Sequence, residues 1–214
     1  MLHTILVSGQ KSCRITPFNE QEGSELKKKD FFWIDTEEPS VNEIASLARL
    51  LSTDAESLKA VKSCRRGLQR ESFGQTIVSI PLLYQEGQTA KVAPLTLIIG
   101  KTSVVSVRDS RIAGCVTNVV QSLNNRLEDN EAITPSVVFS KFFREVISRN
   151  SLFLEDFREV INRAETAAFT TTSSQLVREV FKLKRLTSFI EDILVSEKEV
   201  LDAVKLELTE NIIL

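Results

Sequence analysis

The 214 residues are enough for one large domain or for a domain with an appendage. Apolar residues make up 42% and charged residues 26%, which excludes a disordered chain and implies an ordinary globular core. A net charge of -2 and a pI near 5.7 give no electrostatic case for nucleic acid as a partner.

Cys13, Cys64 and Cys115 are scattered, with no pair at metal-ligand spacing, as expected of a reducing cytosol. No signal peptide and no apolar run near 18 residues occurs, so nothing in this sequence is expected to span a bilayer.

In chain order, Leu2 to Val7 reads as a short strand and Ser12 to Thr16 as its partner. Phe18 to Lys29 is polar and reads as a loop. Asp30-Phe31-Phe32-Trp33-Ile34-Asp35 is too apolar for a surface and too short for a helix, which predicts a buried strand. Ser40 with Glu43 forms a capping box, and Ile44, Leu47, Leu50 and Leu51 supply the buried face of the helix it starts. Thr53 with Glu56 is a second such box, opening a helix through Leu58 and Val61 that ends before Gly67. Thr76 to Tyr84, Lys91 to Ile99 and Ser103 to Val107 then read as an antiparallel meander joined by glycine-containing turns. Pro81 predicts that the first of these strands lies at an edge or carries a bulge. Arg111 to Leu127 is helical, with Ile112, Cys115, Val116, Val119 and Leu123 on one face.

From Ser136 to Leu214 there is neither glycine nor proline. Thr134 and Pro135 make a good N-cap and first-turn pair. Phe139, Phe142, Val146, Phe153, Phe157, Val160 and Ala164 follow one face of the helix they start. Thr170-Thr171-Thr172-Ser173-Ser174 breaks it, because the hydroxyls compete with helical hydrogen bonds. A second long helix follows, with an apolar row at Leu176, Val180, Leu183, Ile190, Leu194, Leu201, Val204 and Leu208 that only Thr187 and Glu197 interrupt. Two antiparallel helices are expected, forming either a hairpin packed within the domain or an assembly surface. The run ends on Ile212-Ile213-Leu214 without a cap and reads as a helix cut short. The fold class is therefore α+β: a layered domain over residues 1–134 and long helices over 135–214.

Catalytic chemistry is hard to assemble from this chain. His3 is the only histidine, and the seven glycines form no phosphate-binding pattern. Acidic clusters such as Glu37-Glu38, Asp54 with Glu56, and Glu191-Asp192 could supply oxygen ligands to a hard cation, but none has calcium-loop spacing. The residues read as a binding or structural protein, not an enzyme.

The order of elements resembles the cytoplasmic domain of the CorA family of magnesium and cobalt transporters. The carrying stretches are Trp33-Ile34-Asp35 with Pro39 and the helix through Leu51, the meander with Thr102 to Val107, Phe142 to Glu165, and Val180 to Val204 with its Lys-Leu-Lys-Arg-Leu core. The resemblance implies an α/β/α domain with a mainly antiparallel sheet and a hairpin leading into a stalk helix. It also implies a pentamer on the cytoplasmic face of the membrane, reached through segments beyond Leu214, and weak regulatory binding of Mg2+ or Co2+. Where the family carries Leu-Glu-Asp, with an aspartate that helps hold a regulatory cation, this chain reads Leu58-Lys59-Ala60. Glu56, one turn earlier on the same face, is the residue placed to substitute, with Asp54 nearby; the competing role for Glu56 is the Thr53 capping box. Two other readings stay open: a domain of a zinc-transporting relative, and a scaffold or adaptor that binds partner helices.

Overall fold

The structure is a computed structural model that describes residues 2–7, 12–13, 15–18, 23–26, 28–53, 58, 68–72, 74–86, 89–170 and 174–212. Its elements are β1 (Leu2–Val7), β2 (Thr16–Pro17), α1 (Gly23–Leu26), β3 (Phe32–Glu37), α2 (Val41–Leu51), β4 (Leu68–Ser72), β5 (Gln75–Glu86), β6 (Thr89–Ile99), β7 (Ser103–Arg108), α3 (Ala113–Glu128), α4 (Pro135–Thr170) and α5 (Ser174–Ile212). The seven strands form one sheet in the order β2-β1-β3-β7-β6-β5-β4. All neighbours are antiparallel except the central pair, where β3 runs parallel to β7 with Phe32 opposite Ser103 and Glu37 opposite Arg108.

Period-two alternation sends the two faces of the sheet to different helices. Phe32, Ile34, Ile77, Ile98 and Val105 pack with Ile44, Leu47, Leu50 and Leu51 of α2 and with Leu58. Trp33, Val78, Ile80, Leu95, Leu97 and Val104 pack on the other face against α3, the first half of α4 and Val200 and Val204 of α5. This is the α/β/α layering expected from the sequence. Each aliphatic side chain fully buried in it contributes roughly 1.5–3 kcal/mol.

The Ser40 capping box forms as read: the Glu43 amide donates to Ser40 Oγ at 3.3 Å, and the Ser40 amide donates to Glu43 Oε2 at 2.8 Å. Thr134 caps α4, its Oγ1 accepting from the Val137 amide at 3.3 Å. Three local expectations need correction. The partner of β1 is only Thr16–Pro17, because proline lacks the donor a longer ladder needs and is tolerated at the sheet's outer edge. The stretch read as a loop from Phe18 contains one helical turn, α1, which buries Leu26. The helix expected from Arg111 begins as a 3-10 turn at Ser110–Ile112, capped by the Asp109 side chain, before α3 starts.

Candidate functional site: the helical hairpin and its seam with the sheet

The α4–α5 pair is antiparallel. Asn150 meets Glu197, while seven residues further along α4 Phe157 clusters with Ile190 and Ile193, so one number rises as the other falls. Leu83 of β5 joins that cluster and ties the hairpin to the sheet.

The seam has a polar centre. Among the described residues β4 pairs with β5 only from Gln75 to Ser79, and from Ile80 onward none of them places a strand against the outer edge of β5. Pro81 sits at the start of this bare edge, as its missing donor requires. Asn150 takes the place of a strand. Its Oδ1 accepts from the Leu83 amide at 2.9 Å, and its Nδ2 donates to the Pro81 carbonyl at 3.5 Å. The same Nδ2 donates to Glu197 Oε1. Glu197 lies on the inner face of α5 with 9% of its surface exposed. Burial pushes its carboxyl up to about 7, against the opposing pull of the Asn150 hydrogen bond.

A second polar network closes the carboxyl ends of the parallel strands. Trp33 Nε1 donates to Ser106 Oγ at 3.0 Å, and Ser106 Oγ donates to Asp35 Oδ1 at 2.6 Å. Arg108 donates through Nε to Asp35 at 3.0 Å and through Nη1 to Glu37 at 2.5 Å. Burial raises the Asp35 carboxyl above its usual range, while Arg108 and Ser106 draw it down. A cleft of about 310 Å³ beside this network is lined by Glu38, Pro39, Pro94, Thr96, Val107, Arg108 and Asp109. Arg108 is committed to two carboxylates, and such a buried pair fixes geometry more than it adds stability.

Beyond Phe157 on α4 and Ile190 on α5 the hairpin extends past the core. None of the described side chains in 158–166 or 177–189 is buried. Val177 is 54% exposed and Phe181 60%, with Val180 and Phe189 also exposed.

The metal ligands expected from the sequence, Asp54 and Glu56, lie outside the described residues. Among the described residues, no group of three or more His, Cys, Asp and Glu is arranged to hold a metal ion. They offer no cage for a regulatory cation. His3 sits on β1 opposite Asp35, half-buried and with Nδ1 unpartnered. Burial pushes the Cys13 and Cys115 thiols up to about 11 and about 12, which leaves them unreactive; Cys64 lies outside the described residues. Sequence reading noted Glu197 only as an interruption in an apolar row and passed over Asn150. One signal was available: a carboxylate on the inner face of a helix demands a polar partner on whatever packs there.

The family model described as "CorA-like Mg2+ transporter protein" matches residues 28–212. The chain belongs to the CorA-like family. No curated protein matches it. Among solved structures, the complete CorA magnesium transporter from Methanocaldococcus jannaschii is similar with a TM-score of 0.73 at 11% identity, over 96% of this chain and 62% of that one. The soluble domain of the same CorA gives 0.63 at 12%, over 82% and 70%. The ZntB cytoplasmic domain from Vibrio parahaemolyticus gives 0.52 at 9%, over 98% of both chains. At these identities the structural likeness concerns the fold, and the chain spans 62% of the complete CorA transporter's length. The family is one of transporters. No described helix of this chain is long and apolar enough to cross a membrane.

Proposed function

We propose that this chain is the cytoplasmic regulatory domain of a CorA-like transporter of divalent metal ions, with Mg2+ or Co2+ as cargo, and that it senses or gates instead of catalysing. The observation that carries the reading is the family match over residues 28–212, joined to a hairpin that extends past the core. On this reading the domain lies on the cytoplasmic face of the membrane and self-associates, as a pentamer in the whole transporter. Regulatory Mg2+ or Co2+ binds weakly through Glu56, with Asp54 beside it, because the Leu58-Lys59-Ala60 departure removes a carboxylate from the neighbouring turn. The zinc-transporting alternative is favoured by one observation, the ZntB cytoplasmic domain of which 98% is covered.

Ion flux through the full-length protein reconstituted in vesicles separates the two. Influx of magnesium or cobalt supports the proposal, and influx of zinc alone overturns it. For regulation, magnesium titrations of wild type and Glu56→Gln are compared by protection from proteolysis. Glutamine still caps but is a poor cation ligand, so identical titrations would leave Glu56 as a helix cap only.

A further inference from the structure

The outer half of the hairpin presents two unlike surfaces. Phe153, Leu154, Phe157 and Ile161 of α4 meet Leu183, Leu186, Ile190 and Ile193 of α5 at the seam. By helical spacing, the side of α4 opposite that seam carries Leu152, 59% exposed, among Glu155, Asp156 and Glu159, with Arg163 beyond them. The side of α5 opposite the seam carries Val177 and Phe181, with Lys184 beside them and Arg178 and Arg185 along one flank. That basic stretch ends before Glu191 and Asp192, which lie further in on the same side. All these side chains are exposed, and none of the charged ones makes an ion pair among the described residues. One helix therefore offers cations around an apolar pair, and the other offers carboxylates around a leucine.

We infer that the outer face of α5 from Val177 to Arg185 docks on the outer face of α4, from Leu152 to Glu159, in a second copy of this chain. The signs are complementary, and Leu152 supplies the apolar surface that Phe181 lacks in its own chain. Arginine and phenylalanine are also side chains that interfaces favour. Contact of α5 with α5 would set cation against cation, and α4 with α4 carboxylate against carboxylate, which disfavours both. The two faces point away from each other across the hairpin, so one neighbour cannot use both. The contact is head-to-tail: each copy keeps one face of each kind free, and association continues until a ring closes. Asn150 lies level with Glu197 and Phe157 with Ile190, so the acidic face is nearer the core than the basic one. Neighbouring hairpins therefore meet crossed, not level. The inference rests on the self-association proposed above and names the surfaces that meet.

Sedimentation velocity over a wide concentration range tests it with two double variants. One is Lys184→Glu with Arg185→Glu, and the other is Glu155→Lys with Asp156→Lys. Each alone should weaken association by roughly tenfold or more, because attractions across the contact become repulsions. An equimolar mixture of the two should associate again, since each variant then meets on the other the sign it has lost. High salt should weaken association of wild type and mixture alike. All four changes fall on exposed side chains, and unchanged melting curves would confirm intact folding. A mixture that associates no better than its components overturns the inference. So does wild-type association in the α4 variant, which would mean that α5 pairs elsewhere while self-association itself stands. A wild-type chain that stays monomeric throughout overturns the inference together with the assembly reading. Ion flux is read on the full-length protein, so failure of the transport reading leaves the mixing result standing.

Discussion

Asn150 and Glu197 face each other across the α4–α5 seam, and the amide that binds the Glu197 carboxyl also seals the bare edge of β5. One side chain therefore satisfies a strand and a helix together. Asn150→Ala would leave the Leu83 amide and the Glu197 carboxyl without partners in a buried place. A loss of about 2–3 kcal/mol is expected in urea unfolding. A change below about half a kcal/mol would mean that water replaces the amide, as it does at exposed sites.

Glu197 makes the seam sensitive to pH. The folded chain holds this proton up to about 7, whereas an unfolded chain releases it near the ordinary 4.5, so folding takes up a proton between those values. Stability should fall as pH rises through that window, by roughly 3 kcal/mol in all, and stay low above it. Glu197→Gln keeps an oxygen for the Asn150 amide and removes the charge. Its melting temperature should exceed wild type at pH 8 and match it near pH 4. Asp35, whose carboxyl burial also raises, is untouched by the substitution, so part of the pH dependence remains.

Trp33 is fully buried, its Nε1 bonded to Ser106 and its ring edge-on to Phe142 at 5.3 Å between centroids. Trp33→Ala should cost roughly 3–5 kcal/mol. Trp33→Phe should cost less but leave Ser106 Oγ without its donor. Equal stability for the two variants would show that cavity volume has no part in the loss.

Self-association is expected to depend on concentration, because Val177, Val180, Phe181 and Val195 remain exposed on α5 in a single chain. Light scattering over a wide concentration range should show the mass rising. A constant monomer mass throughout would count against assembly through this helix.

The strands and helices announced themselves wherever a local rule decides. Trp33 and its apolar neighbours, the Ser40–Glu43 box, the meander and the Thr134 cap are each written within a few residues, and the structure places each as read. Pro81 predicted an edge strand or a bulge, and neither is found: β5 is second from the edge and pairs with β6 without a register shift, while Pro81 lies past the last β4 pairing at Ser79, where its missing donor costs no ladder bond. What the residues could not announce was pairing between distant segments. Nothing in Trp33 or Ser106 alone says that β3 lies parallel to β7, and the role of Asn150 depends on where β4 stops. Of the expected Thr53–Glu56 box, Thr53 is described and its Oγ1 is buried without a hydrogen-bond partner, whereas Asp54 and Glu56 fall outside the described residues.

The parallel pairing of β3 with β7 joins residues 71 apart, as Asp35 and Ser106 show. Without that pairing the sheet would divide into two strand groups, β2-β1-β3 and β7-β6-β5-β4, each with an open edge. On the ribosome the first group has no place to dock until Arg108 has emerged from the exit tunnel. Closing so long a stretch of chain costs conformational entropy, and non-local pairing of this kind slows folding. The indole of Trp33 sits on that joint, and its fluorescence times the moment when the two halves become one sheet.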